Sequence, residues 1–198
     1  MKALFYTLCC TAALLLLASC GGKKKYSIPP VTVEPDSTMY VQLTSHTSDS
    51  ITFVQLDSKR TRTMGYAYAR EQHALIGDLN DGDTLAVMPQ FSQKRIVSAV
   101  NVSQLVGLWM YENPEGCGIR LNSDGAACNI GPASHSTLRD WRIRNGKFIL
   151  TYVKSDGSDY ALRNDSSEIK MLTKDKLVYT MHDSIITCSR TDALIRLK

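Results

Sequence analysis

The sequence predicts an all-β protein, and three observations support this fold class. Beyond residue 36 the chain consists of short stretches rich in Val, Ile, Leu, Thr and Tyr, a composition typical of strands. Turn residues such as Gly, Asp, Asn and Ser separate these stretches at short intervals. No part of this region shows the sustained periodicity of a long amphipathic helix. We therefore expect one domain or two small domains built from antiparallel strands.

The first twenty residues predict an exported lipoprotein. Lys2 precedes an uncharged run, residues 3–18, which is shorter than the about 20 apolar residues that span a bilayer. A positive start, a short apolar run and small residues at its end are typical of a secretory signal. Leu17-Ala18-Ser19-Cys20 resembles the lipobox of bacterial lipoproteins. This resemblance implies removal of residues 1–19 and lipidation of Cys20 by acyl chains such as palmitate.

Residues 20–36 predict a flexible tether between the lipid anchor and the folded part, because Gly, Lys, Ser and Pro bury little surface. The lysines at 23–25 either attract anionic lipid head groups weakly or are solvated linker charges. An Asp directly after the lipidated Cys retains lipoproteins in the inner membrane, and this chain has Gly21 there. The resemblance thus implies the cell envelope and the outer membrane. The alternative is an ordinary signal that is cut elsewhere.

Charge and cysteine content restrict the function further. Removing residues 1–19 lowers the net charge from +4 to +3, which is too small to predict a nucleic-acid partner. Three cysteines lie beyond Cys20, and a predicted hairpin turn at 122–125 brings Cys117 towards Cys128. The expected register, however, pairs Ile119 with Cys128. A disulfide is possible, but two buried thiols are favoured.

Residues 37–103 predict a small β-barrel domain. Its five candidate strands lie at 38–43, 50–56, 62–67, 84–88 and 95–102. Five short strands suit a small barrel similar to an OB or SH3-like module. The loop before the fourth strand contains Asp78, Asn80, Asp81 and Asp83, but its spacing departs from that of an EF-hand. We interpret this loop as a turn rather than a calcium site, and we predict no cofactor.

Residues 104–198 predict a second domain, an eight-stranded antiparallel barrel. Its candidate strands lie at 105–111, on both sides of the turn at 122–125, and at 138–143, 147–153, 160–163, 168–172, 176–181 and 184–190. Roughly eight strands joined by short turns are typical of an up-and-down meander that closes on itself. A barrel of this size has an interior wide enough for side chains or one small ligand.

The first strand of this domain carries a family resemblance. Gly107-Leu108-Trp109 resembles the Gly-x-Trp motif of lipocalins, and residues 105–191 resemble the lipocalin-like domains of Gram-negative envelope lipoproteins. The resemblance implies that Trp109 closes one end of the barrel beneath an arginine, for which Arg190 or Arg196 is available. The predicted strands are shorter than those of full lipocalins, which implies a smaller barrel interior.

Aromatic side chains on these strands are the candidate ligand-binding residues. If they line an incompletely filled interior, they bind a small hydrophobic ligand or a lipid. If they fill the interior, they form its core, which is the favoured arrangement because small barrels are usually packed solid. The candidates are Trp109, Tyr111, Trp141, Phe148, Tyr152 and Tyr179.

The sequence gives little support to an enzyme. It has no Gly-x-Ser-x-Gly, His-Glu-x-x-His or Cys-x-x-Cys motif, and its four histidines are widely separated. We therefore expect no catalytic residue and no metal site. Two functions remain: a ligand-binding envelope lipoprotein, and a protein-interaction lipoprotein that joins an envelope complex, senses stress or inhibits an enzyme.

Overall fold

The computed structural model describes residues 34–132, 136–156 and 159–191, with the backbone alone at 155, 156, 159 and 160. The predicted signal at 1–19, Cys20, nearly all of the tether and Arg196 lie outside the described residues. From Asp36 onward the described chain belongs to one compact unit. In the described ranges, no helix combines the length and the apolar character needed to cross a bilayer.

Short strands make up the N-terminal half of this unit. The described strands are β1 (Met39–His46), β2 (Ser50–Gln55), β3 (Thr61–Gly65), β4 (Leu75–Ile76), β5 (Thr84–Gln90) and β6 (Arg95–Asn101). Two short helices, α1 (Ala67–Glu71) and α2 (Val102–Leu105), and a 3₁₀ turn at Phe91–Gln93 connect or follow them. The five predicted strands therefore occur where the sequence places them. The two-residue strand β4 was not predicted.

Five of these strands form a closed barrel. β1 pairs antiparallel with β2 and β5, β2 pairs with β3, and β5 pairs with β6. A parallel contact between Gly65 and Arg95 joins β3 to β6 and closes the ring, while β4 adds to β6. Alternation directs Val41, Leu43 and Phe53 into a fully buried core.

Antiparallel strands also make up the C-terminal half, and every predicted strand has a counterpart. They are β7 (Gly107–Tyr111), β8 (Gly118–Leu121), β9 (Ala127–Ile130), β10 (Ser136–Arg144), β11 (Lys147–Asp156), β12 (Asp159–Ser167), β13 (Ile169–Leu172), β14 (Lys176–Met181) and β15 (Ser184–Arg190). One sheet has the order β13-β14-β15-β7-β8-β9, and the other has the order β10-β11-β12. Neighbours in the sheets are consecutive in the chain except at β15 and β7, where the last strand meets the first. The prediction of an all-β protein is confirmed.

The predicted register of the β8–β9 hairpin is wrong by one residue. Ile119 pairs with Asn129, and Arg120 pairs with Cys128. The loop is longer than predicted because Asn122 N donates to Ala126 O at 2.9 Å and Gly125 adopts a φ of +87°. Cys117 therefore lies further from Cys128 along the ladder, and both cysteines are free. The expected burial of these two thiols is wrong, because Cys117 is half-buried and Cys128 is exposed, whereas the free Cys188 is buried.

Candidate functional site

Trp109 lies in the core of the C-terminal strands, beneath an arginine. The side chain is fully buried, and its Nε1 donates to Leu105 O at 2.8 Å. The guanidinium carbon of Arg190 lies 4.2 Å from the centre of the Trp109 ring, a cation–π contact. Arg190 also donates to the carbonyl oxygens of Val106 at 2.9 Å and Lys174 at 2.6 Å. The role that the resemblance implied for Arg190 is thus confirmed.

The glycine of the Gly-x-Trp motif makes room for this arginine. Gly107 adopts a φ of +150°, a conformation that residues with a Cβ rarely adopt. A Cβ at this position would lie 2.4 Å from Nη1 of Arg190. The motif therefore acts as a unit, because Gly107 admits the guanidinium that covers the tryptophan two residues later.

Three of the candidate aromatic residues pack together in the interior. The rings of Trp141 and Phe148 have centroids 6.2 Å apart, and those of Phe148 and Tyr179 are 5.4 Å apart, both in edge-on geometry. Trp141 Nε1 donates to Asn122 O at 2.9 Å, which satisfies its polar group. With Trp109 they belong to one buried hydrophobic cluster between the C-terminal strands.

The interior is open next to this packed layer. A cavity of about 610 Å³, which we call the cup, has walls from β7 to β12 and from β14. Of the candidate residues, Tyr111, Tyr152 and Tyr179 line the cup, whereas Trp109 and Phe148 are buried away from it. Trp141 lines a different cavity of about 590 Å³ beside Tyr40 and Val102. The described lining of the cup is Tyr111, Ile119, Asn129, Ser136, Leu138, Leu150, Tyr152, Lys154, Arg163, Asn164, Asp165, Tyr179, Met181 and His182.

The polarity of the wall increases along β11 and β12. Phe148 and Leu150 are buried, Tyr152 is half-buried and Lys154 is exposed, although all four share one face of β11. The register places Arg163 opposite Tyr152 on the neighbouring strand. Alternation alone predicts Lys154 on the face of the three apolar residues. Lys154 is not among the aromatic candidates that the sequence suggested.

Two tyrosine hydroxyls lie in the cup. Burial raises the pKa of Tyr179, and the nearby Tyr111 raises it further. Burial likewise raises the pKa of Tyr111. Both hydroxyls are therefore neutral hydrogen-bond donors at physiological pH. The Tyr179 hydroxyl is buried beside that of Tyr111, and it forms no hydrogen bond of regular geometry with a described residue.

The charged wall residues differ in their surroundings. His182 Nε2 lies 3.1 Å from Asp165 Oδ2, and no hydrogen bond among the described residues satisfies this buried oxygen. Lys154 and Arg163 make no ion pair with a described residue.

The Asp-rich loop is a turn held by side-chain amides. Asn101 Nδ2 donates to Asp83 Oδ2 at 2.6 Å, and Gln104 Nε2 donates to Asp78 Oδ2 at 3.0 Å. Gly82 adopts a φ of +93° within it. The described residues contain no cluster of three or more His, Cys, Asp or Glu side chains arranged to bind a metal ion.

Comparison with known proteins gives a family match and a match to a solved structure. The family described as Lipocalin-like matches residues 101–191. A solved structure described as a lipocalin-like protein from Bacteroides thetaiotaomicron is similar at 24% identity over 44% of this chain and 97% of that chain, with a TM-score of 0.39. No curated protein matches the chain. On the family match, residues 101–191 have a lipocalin-like fold.

Proposed function

We propose that this protein is a membrane-anchored lipoprotein of the cell envelope whose lipocalin-like domain, residues 104–198, binds a small hydrophobic ligand or a lipid. The cup carries this proposal, because its volume of about 610 Å³ lies within the range of about 300–1,000 Å³ that is typical of small-molecule sites. Tyr111, Tyr152 and Tyr179 supply aromatic surface and hydroxyl donors.

The strand arrangement supports an eight-stranded barrel. Glu168 alone separates β12 from β13, and the chain passes there from pairing with β11 to pairing with β14. Counting β12 and β13 as one bent strand gives eight strands, a number that leaves room for one small ligand.

The N-terminal barrel, residues 37–103, supports the OB-like alternative over the SH3-like one. OB folds are five-stranded Greek-key barrels, and here five strands close through the parallel contact between β3 and β6. We propose that this barrel lies between the tether, residues 20–36, and the cup in the chain.

Lipidation of Cys20 is the first testable part of the proposal. We expect the Cys20→Ser variant to lose incorporation of an alkyne-labelled palmitate and to leave the outer-membrane fraction, because acyl chains supply the anchor. Cys9→Ser is the matched control and keeps both properties. Equal labelling of the Cys20→Ser variant and the unaltered chain would contradict the lipoprotein assignment.

Binding in the cup is the second testable part. Ser136 lines the cup, whereas the adjacent Thr137 is exposed on the other face of β10. We expect Ser136→Trp to place an indole ring in the cup, where it obstructs the ligand, and to reduce binding of a neutral hydrophobic fluorescent probe at least tenfold. Thr137→Trp leaves probe binding unchanged.

Native mass spectrometry of the chain from Gly21 to Lys198 gives an independent measurement. We expect an excess mass in the lipid range that is lost on denaturation. A bare mass together with no probe binding would overturn ligand binding and favour the protein-interaction lipoprotein.

A further inference from the structure

We propose that the ligand of the cup carries an anionic head group, a carboxylate or a phosphate, that binds between Lys154 and Arg163. This inference rests on the proposed function, since it requires the cup to be a ligand site. It adds the chemical class of the ligand and two residues that select it.

The two cations occupy neighbouring positions on the wall of the cup. Lys154 follows Leu150 and Tyr152 on one face of β11, and Arg163 is the register partner of Tyr152 on β12. Both side chains line the cup and are exposed. A ligand whose tail contacts Leu150 therefore brings its other end towards both cations.

No described carboxylate forms an ion pair with Lys154 or Arg163. Asp165 is the one acidic residue in the described lining of the cup, and its Oδ2 lies 3.1 Å from His182 Nε2 rather than within ion-pair distance of either cation. Neither Lys154 nor Arg163 forms an ion pair or side-chain hydrogen bond with a described residue. Two positive charges beside a partly enclosed cavity attract an anion more strongly than two cations on an open surface, because the protein excludes part of the solvent.

The chemistry of the two cations suits carboxylates and phosphates. An arginine donates two parallel hydrogen bonds to such groups, and lysine adds a mobile point charge. The deeper wall is apolar, with Ile119, Leu138 and Leu150 buried. An amphipathic molecule with an alkyl tail and an anionic head matches this order of apolar and charged surface.

Four probes with the same alkyl tail test the head group. They are dodecanoate, dodecyl phosphate, dodecanol and dodecyltrimethylammonium, each used below its micelle concentration against the chain from Gly21 to Lys198. Affinity is measured by displacement of the neutral fluorescent probe. We expect the better of the two anions to bind at least tenfold more tightly than dodecanol, and the cation to bind most weakly. Comparison of dodecanoate with dodecyl phosphate distinguishes the two sources of negative charge.

Two double variants test whether Lys154 and Arg163 cause the preference for an anionic head group. Lys154→Gln combined with Arg163→Gln is expected to lower the affinity for the preferred anion about tenfold and to leave dodecanol unchanged. Lys59→Gln combined with Arg60→Gln removes the same charge from an exposed turn of the N-terminal barrel and leaves both affinities unchanged. Near-ultraviolet circular dichroism checks that each variant is folded.

The outcomes separate this inference from the proposed function. Equal affinity for anion and alcohol, or an unchanged anion affinity in the Lys154 and Arg163 variant, would overturn the head-group inference and leave the cup as a ligand site. Failure of all four probes to bind would overturn both.

Discussion

At the scale of single residues, Arg190 shows how a short motif depends on a distant partner. The guanidinium covers the Trp109 ring and donates to three carbonyl oxygens, those of Gln104, Val106 and Lys174. A lysine has neither the planar surface nor the fixed set of donors to replace these contacts. Gly107 belongs to the same arrangement, because any side chain there would meet the arginine.

A pair of tyrosines gives a prediction at the same scale. Tyr40 Oη donates to Ile143 O at 3.1 Å and accepts from Ile143 N at 3.0 Å, whereas the buried Tyr179 hydroxyl lies beside that of Tyr111 and forms no hydrogen bond of regular geometry with a described residue. We expect Tyr40→Phe to lower the free energy of unfolding by about 1–3 kcal/mol, because it leaves backbone groups unpaired. Tyr179→Phe is expected to leave this free energy unchanged or to raise it by up to about 1 kcal/mol. Urea denaturation measures both changes.

The same variants relate stability to ligand binding. If the Tyr179 hydroxyl donates to the ligand, Tyr179→Phe weakens binding in the cup without loss of stability. A loss of stability as large as that of Tyr40→Phe would instead mean that the hydroxyl has a partner within the protein.

At the scale of elements, charge pairs hold the bend between β12 and β13. Glu168 accepts from Lys147 on β11 and from Lys170 on β13, the latter at 2.5 Å. These hydrogen bonds, with the charges of the two lysines, lower the pKa of Glu168 from 4.5 to about 2. The chain thereby gains ion pairs at the point where it changes partner strands.

The lowered pKa predicts a pH dependence. Glu168 stabilises the folded state above the unfolded-state pKa, and this contribution is lost as the pH falls from about 5 to about 2. The side chain is 48% exposed, so screening keeps the contribution below about 1 kcal/mol. We expect the difference in unfolding free energy between the unaltered chain and Glu168→Gln to be present at pH 7 and to vanish near pH 2. A difference that stays constant with pH would exclude the ion pairs as its cause.

Local sequence patterns predicted where the strands lie better than they predicted which strands pair and in which register. Strand positions follow from alternation and turn residues, which act within a few residues of the chain. The β8–β9 register depends on the conformation of Gly125, and the β3–β6 contact depends on barrel closure, so neither is a local property. The aromatic candidates for ligand binding could be chosen from their residue type and strand position. Their division between the cup and the core, and the place of Arg163, depend on how the strands pair.

At the scale of the whole molecule, the two halves share contacts within one compact unit. The core of the C-terminal strands includes Ala86, Val100 and Val102 from the N-terminal half. Tyr40 on β1 bonds to Ile143 on β10, and Asn145 N donates to Thr38 Oγ1 at 2.6 Å. Apolar and polar contacts thus link the barrel to the domain that contains the cup.

This shared packing predicts that the two halves unfold together. Both tryptophans of the chain, Trp109 and Trp141, lie in the C-terminal half, so their fluorescence reports on that half, whereas far-ultraviolet circular dichroism reports on both. We expect Phe53→Ala, in the core of the N-terminal barrel, to cost about 3–5 kcal/mol and to shift both urea transitions by the same amount. If fluorescence kept its original midpoint while circular dichroism shifted, the shared contacts would be too weak to couple the halves. The cup would then fold and bind its ligand without help from the small barrel.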